Sequence, residues 1–301
     1  MLKLNNLGSG KVPDTGDPAF GYSSGGTTGS DSDVIDKWTF ASDANASDVG
    51  NLSVARLEIA GQSSADNGYT SGGGGLLDVI DKFPFASDTN AADVGNLTVG
   101  RERMKGQSSA NHGYVAGGDD SVARSNVVDK VTFASDANAT DVGDLTVARS
   151  DNSSQSSSTH GYCSGGRETV STDSNVIDKW PFASDANATD VGDLTFNRRE
   201  LWGEFSSDNG YTSGDDATPR TVIDKFPFAS DTNAADVGDL SLGRRAASGQ
   251  SSANHGYSAG GEASAVQVNN VDKFTFASDA NATDVGDLTV ARSDLAGQQG
   301  G

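Results

Sequence analysis

The chain has 301 residues, a net charge of −21, 38 glycines and only 34% hydrophobic residues. This composition excludes a helical solenoid and suits many short strands joined by tight turns. The acidic excess argues against binding to nucleic acid or to an anionic membrane surface, because both attract basic proteins.

The first 19 residues precede a repeated pattern and do not share it. They contain no apolar run long enough for a signal peptide or a membrane-spanning helix, so we expect no membrane insertion. The sequence therefore predicts an N-terminal arm over residues 1–19 and one repetitive domain over residues 20–301.

One sequence unit then recurs every 45 to 49 residues, in six copies. Each copy has a Gly-Tyr pair, an Asp-Lys pair, and an arginine 20 positions after that aspartate. Six copies of one supersecondary unit predict a repeat fold whose surface is itself repetitive.

The third copy illustrates the strands expected in each unit. Residues 127–133 alternate as a strand does, residues 134–143 are rich in turn formers, and residues 144–149 are expected to form a short strand. Two more strands are expected around residues 155–157 and 160–166. Four short antiparallel strands per unit and six units predict an all-β, six-bladed β-propeller.

The two ends of the domain predict how the ring closes. The first unit begins at Gly21-Tyr22, which belongs to a second strand, so its first strand is missing. Residues 296–299 resemble the first-strand residues 249–252. We therefore expect the C-terminal strand to complete the first blade and close the ring, which removes two free sheet edges.

The order of these features resembles the kelch repeat. A strand ending in Gly-Gly, as at Gly165-Gly166, is followed by a strand with an aromatic residue and then by an arginine. The fifth copy departs with Gly214-Asp215, and the usual outer-strand tryptophan is lacking. The repeat is also similar to kelch-like repeats in virion and tail proteins of marine and cyanobacterial phages.

That resemblance implies a non-enzymatic structural protein of a phage virion, in a tail, fibre or nozzle. It would be assembled in the host cytoplasm as part of a larger oligomeric assembly. The arm would contact other virion proteins, and a propeller face would bind a protein, a receptor or a glycan of the host surface. The alternatives are a glycan-binding or scaffold propeller of cellular origin and, third, a hydrolase.

The repeated aspartates and arginines are expected to be structural anchors, because six equivalent copies cannot all be one catalytic group. No Ser-His-Asp arrangement separate from the repeat is visible. The expected anchors are Asp36, Arg56, Asp81, Arg101, Asp129, Arg149, Asp178, Arg198, Asp224, Arg244, Asp272 and Arg292.

Acidic turns follow each Asp-Lys strand, as in Asp136, Asn138 and Asp141 before Gly143. Calcium loops also alternate oxygen ligands around a glycine, but these turns lack a closing glutamate. Since Asp and Asn also satisfy turn backbones by local hydrogen bonds, we expect no metal and no cofactor. Calcium remains the alternative for these turns.

Variation between copies is confined to one predicted face. The spacing from Gly-Tyr to Asp-Lys changes between copies, and sequence differences collect just after the repeated arginine. Both segments are expected on the same face, and variable loops on a rigid scaffold commonly carry recognition. The predicted binding residues are Leu76, Leu77, Arg103, Met104, Lys105, Arg124, Arg167, Arg199, Trp202, Arg220 and Arg245.

Overall fold

The computed structural model describes residues 18–216 and 221–300. Within those ranges the chain forms 26 strands, which build six four-stranded antiparallel sheets and one two-stranded hairpin. No described residue belongs to a helix that is long and apolar enough to span a membrane. The fold is therefore the predicted six-bladed β-propeller.

The first three blades have the following strands. Blade 1 contains β1 (Phe20–Ser24), β2 (Val34–Thr39), β3 (Ser47–Asn51) and the C-terminal β26 (Ala296–Gly300). Blade 2 contains β4 (Ala60–Ser63), β5 (Asn67–Gly73), β6 (Leu77–Pro84) and β7 (Ala92–Asn96). Blade 3 contains β8 (Lys105–Ser108), β9 (His112–Ala116), β10 (Val127–Thr132) and β11 (Thr140–Asp144).

The last three blades repeat this order. Blade 4 contains β12 (Ser153–Ser156), β13 (His160–Thr169), β14 (Thr172–Pro181) and β15 (Thr189–Asp193). Blade 5 contains β16 (Trp202–Phe205), β17 (Asn209–Ser213), β18 (Val222–Pro227) and β19 (Ala235–Asp239). Blade 6 contains β20 (Ser248–Ser251), β21 (His255–Ala259), β24 (Asn270–Thr275) and β25 (Thr283–Asp287), with the hairpin β22 (Glu262–Ala263) and β23 (Val266–Gln267) between β21 and β24.

The ring closes as the sequence predicts. Strand β26 pairs antiparallel with β1, from Phe20 opposite Gly300 to Ser24 opposite Ala296. It lies between the inner strands β4 and β20 and so supplies the inner strand of blade 1. This arrangement pairs the edge of β1 that would otherwise be free.

The predicted position of the fourth strand is wrong. In blade 3 the outer strand is Thr140–Asp144, which overlaps the end of the expected turn, and it pairs with β10 through a register shift between Val128 and Asp129. Residues 145–149 form no strand and instead cross the blade, with Arg149 N donating to Ser125 O at 3.1 Å. Leu145 and Val147 would lie on the same face of a strand, but here Leu145 is buried and Val147 is exposed.

Aromatic side chains fill the space between neighbouring blades. The tyrosine of each Gly-Tyr pair stacks on a phenylalanine of the next blade, as Tyr114 stacks on Phe182 with ring centroids 4.8 Å apart. The preceding glycine is needed because a Cβ at Gly161 would lie 2.6 Å from the Trp180 ring. The six stacks are Tyr22–Phe85, Tyr69–Phe133, Tyr114–Phe182, Tyr162–Phe228, Tyr211–Phe276 and Tyr257–Phe40.

Glycines also bring the inner strands close together around the propeller axis. A Cβ at Gly106 would lie 2.2 Å from the carbonyl oxygen of Gly61, and one at Gly297 would lie 2.2 Å from that of Gly249. Five blades have glycine at this position of the inner strand, and only blade 4 has a larger residue, Ser154. Neighbouring blades are therefore in backbone contact at the axis.

Candidate functional site

The propeller has two faces with different contents. The loop face carries the loops between second and third strands, such as residues 117–126, and the connections into the next blade, such as residues 145–152. The turn face carries the turns between third and fourth strands, such as residues 133–139, and the loops between first and second strands. Because strands alternate in direction, all loops of one kind share a face.

Each repeated arginine forms a buried ion pair with the aspartate of the next blade. Arg149 Nη2 lies 3.0 Å from Asp178 Oδ2, and the same carboxylate accepts hydrogen bonds from the backbone N and the hydroxyl of Thr146. The pairs are Arg56–Asp81, Arg101–Asp129, Arg149–Asp178, Arg198–Asp224, Arg244–Asp272 and Arg292–Asp36, with N–O distances of 2.7–3.1 Å. The repeated polar residues therefore join blades to each other.

The acidic turns also hold neighbouring blades together. Asp136 Oδ1 accepts a hydrogen bond from Lys82 Nζ at 2.5 Å, and Asn138 Oδ1 accepts one from the backbone N of Asn96 at 3.1 Å. Asp141 caps the backbone N of Gly143 in its own strand. The oxygens considered as calcium ligands thus contact different partners, and the described residues contain no group of three or more His, Cys, Asp or Glu placed to hold a metal.

The arginines of the loop face are engaged in contacts within the protein. Arg103 Nε donates to Glu58 Oε1 at 2.9 Å, and Arg199 Nη1 donates to Asp173 Oδ1 at 3.0 Å. Arg245 pairs with Glu262 at 2.6 Å and with Asp216. An external anion would have to compete with these carboxylates for the guanidinium groups.

The remaining predicted binding residues differ in their contacts and in their burial. Arg124 lies 3.8 Å from Asp119, and Arg167 donates to the backbone carbonyls of Thr169 and Val170. Leu76 and Leu77 are half-buried. Arg220 lies outside the described residues.

Met104 and Trp202 do not lie on the surface, contrary to the prediction. Both side chains are buried, Met104 in the core between blades 2 and 3 and Trp202 in the core between blades 5 and 6. The Trp202 indole N–H donates to Ser258 Oγ at 2.8 Å. They are buried because the connection segment turns inward towards the axis as it enters the next inner strand.

The exposed aliphatic residues of the loop face are not among the predicted binding residues. Val122, Val170 and Val266, at the tips of three loops, are 90%, 79% and 62% exposed. The other exposed large hydrophobic residues lie in the blade-to-blade connections, and these are Val54, Val99, Val147, Leu242 and Val290. All eight of these side chains, within the described ranges, are therefore on one face of the ring.

Six connection residues form a closed ring at the axis of the loop face. This axial ring consists of Glu58, Arg103, Asp151, Glu200, Ala246 and Asp294, and each has a positive φ between 52° and 59°. Five of the six donate their backbone N–H to the carbonyl of the previous ring residue at 2.7–3.0 Å, and Leu201 N donates to Asp151 O at 3.4 Å. The left-handed backbone costs about 1 kcal/mol per residue and is held by this hydrogen-bonded ring.

Four carboxylates and the half-buried Lys105 surround a cavity of about 20 Å³ within the axial ring. Burial raises the pKa of Glu58 and of Glu200 to about 7, and it also raises the pKa of Asp151 and of Asp294. Burial lowers the pKa of Lys105, while these four acids act in the opposite direction. Lys105 is therefore a cation beside the acids of the axial ring, in addition to Arg103, which pairs with Glu58.

Lys105→Met is expected to destabilise the protein by about 1–3 kcal/mol at pH 8, less than the loss from breaking a fully buried pair. The loss should shrink at pH 5, because Glu58 and Glu200 bind protons below pH 7 and the repulsion of each by Asp294 then falls. Urea unfolding at both pH values measures the difference. Lys130→Met, which removes an exposed turn-face pair, is the control; an equal loss at pH 5 and pH 8 would contradict this role for Lys105.

Glu204 is a further buried acid, at a place where the other five blades have glutamine. Four of those glutamines bond the next blade, as Gln155 Nε2 donates to Tyr211 O at 2.8 Å; the exception is Gln62. Glu204 accepts hydrogen bonds from Ser258 and Ser213 at 2.7 and 3.2 Å. Burial raises the pKa of Glu204 to about 8, so the carboxyl is protonated in the folded protein at pH 7.

Glu204→Gln is expected to stabilise the protein by roughly 3 kcal/mol at pH 7. The folded state retains a proton that the unfolded state releases between pH 4.5 and about 8, so wild-type stability falls as pH rises through this window. The variant lacks this group and should lose that part of the pH dependence. Gln155→Glu should introduce the same dependence in blade 4; parallel stability curves for all three proteins, recorded by urea unfolding, would refute the assignment.

The described fold defines the class of the protein as a six-bladed β-propeller with a ring closed by its C-terminal strand. Neither a protein-family model nor a curated protein matches this sequence.

Proposed function

We propose that this protein is a non-enzymatic structural and binding component of a phage virion, in a tail, fibre or nozzle, with kelch-like repeats as its scaffold. The observation that carries the proposal is that the repeated residues and the variable residues have different roles. The repeated polar residues bond one blade to the next, whereas individual sequence variation and exposed apolar groups collect on the loop face. Such a molecule is suited to assembly and recognition.

The loop face is the contact surface in this proposal. Arg199 and Arg245 are paired with carboxylates there, and the most exposed large hydrophobic residues are Val122, Val170 and Val266. Loops on a rigid scaffold commonly carry recognition. The partner would be a neighbouring virion protein or a protein receptor of the host surface, and residues 1–19 would contact other virion proteins.

Mass spectrometry of purified particles of the phage that encodes the chain tests the virion assignment. We expect the chain at a fixed copy number per particle after the particles are banded on a density gradient. Its absence from such particles would rule the proposal out.

A loop-face variant tests the contact surface. The triple change Val122→Ser, Val170→Ser and Val266→Ser should reduce incorporation into particles, or their adsorption to host cells, by at least about 10-fold, because burying one valine contributes about 1.5 kcal/mol and about 1.4 kcal/mol is tenfold in affinity. The control replaces exposed turn-face alanines, in Ala44→Ser, Ala137→Ser and Ala186→Ser. Equal behaviour of both triple variants would place the contact elsewhere.

A further inference from the structure

The propeller axis contains a channel that the proposed function does not use. It encloses about 140 Å³ and is lined by the six inner strands and by loops between first and second strands, including Ser64, Ala65 and Ala110. It extends from these turn-face loops to Lys105, beside the axial ring. The channel is open to solvent at these loops, so a ligand can enter there and extend partly outside it.

The channel wall presents hydrogen-bond donors that have no acceptor. The hydroxyl oxygens of Ser63, Ser108 and Ser156 each accept a backbone N–H from a neighbouring inner strand at 2.9–3.0 Å. Within the described part of the chain no acceptor receives their hydroxyl hydrogens, although Ser156 is buried. Gln299 is similar, because its Oε1 accepts a bond from Ser251 N while its Nε2 has no acceptor there. These donors are available to a ligand.

Two channel-lining positions depart from the repeat, and they lie in neighbouring blades. Phe205 replaces the serine or glutamine that ends the other inner strands, and Ser154 replaces the glycine that brings those strands together. Both side chains line the channel, and the Ser154 hydroxyl has no partner among the described residues. One side of an otherwise regular channel thus combines an aromatic ring with a free hydroxyl.

These features select the chemistry of the ligand. Convergent neutral donors require a ligand rich in acceptor oxygens, and an aromatic ring favours one that also has an apolar C–H face. An anion is disfavoured by the net charge of −21 and by the four carboxylates of the axial ring at one end. We propose that the axial channel binds one saccharide ring, stacked on Phe205 and hydrogen-bonded by Ser154 and the donor residues.

The proposal is independent of the virion assignment and of the loop face. It is tested by titrating the whole chain with D-glucose, D-galactose and N-acetylglucosamine up to 50 mM, followed by calorimetry and saturation-transfer NMR. A parallel titration with sodium sulfate measures whether the channel binds an anion instead. Phe205→Ser and Ser154→Gly each restore the residue type found in other blades, so both variants should fold, and their melting temperatures check this.

We expect at least one of the sugars to bind with a Kd below 50 mM. Phe205→Ser should weaken that binding at least about 10-fold and Ser154→Gly about 3- to 10-fold, while the loop-face triple variant binds as the wild type does. Three results would overturn the proposal: no sugar binding up to 50 mM, unchanged affinity in both channel variants, or binding of sulfate alone.

Discussion

Asp178→Ala is expected to lower the free energy of unfolding by about 3–5 kcal/mol, because it leaves the Arg149 guanidinium buried without its carboxylate. Asp178 also accepts two hydrogen bonds from Thr146, so the change breaks contacts that join blades 3 and 4. The side chains of both Arg149 and Asp178 are fully buried, and water cannot replace the lost contact. Urea unfolding followed by far-ultraviolet circular dichroism measures the loss.

Asp231→Ala is the matched control for this variant. Asp231 pairs with Lys179, the residue next to Asp178, but its side chain lies on the turn face in water. Exposed ion pairs contribute at most about 1 kcal/mol, so the control should unfold close to the wild type. If Asp178→Ala unfolds as Asp231→Ala does, the buried pairs do not anchor the ring.

Deleting residues 296–301 is expected to cost more than about 5 kcal/mol, which is the lower end of the stability of native proteins. The deletion removes β26, and with it the ladder to β1 and the bonds from Gln298 Nε2 to Tyr69 O and Thr70 Oγ1, at 3.0 and 3.1 Å. It also exposes the inner edge of blade 1. We therefore expect loss of the cooperative melting transition and concentration-dependent association by sedimentation velocity.

Deletion of residues 1–17 is the control, since it shortens the chain without removing any of the described strands. This variant should keep the wild-type melting temperature and remain monodisperse to the same extent. A cooperative transition retained at the wild-type temperature after removal of residues 296–301 would show that the ring does not depend on strand β26.

Most of the fold could be predicted because the repeat is visible in the chain itself. The Gly-Tyr and Asp-Lys pairs mark the second and third strands. The resemblance of residues 296–299 to the first strand of another unit indicates the closing strand. The fourth strand was misplaced because Leu145, Thr146 and Val147 alternate like a strand. In the structure these residues belong to a segment that crosses the blade. Leu145 faces the core and Val147 faces the solvent.

The candidate sites were harder to predict, since their properties depend on residues that are distant in sequence. Arg199 and Arg245 look like free cations in the chain, but both meet Asp216 on the loop face. Trp202 falls in a variable segment, yet it packs in the core between blades 5 and 6. The glutamine-to-glutamate change at Glu204 was visible in the repeat alignment, but its burial was not.

The six-unit period, the short strands and the closure of the ring follow from the amino-acid sequence, because local propensity and repetition act along the chain. The pairing of each arginine with the next blade, the left-handed axial ring and the channel beside Phe205 and Ser154 were decided by tertiary structure alone. These features arise where six blades converge on one axis, and only that convergence brings side chains from separate repeats within bonding distance.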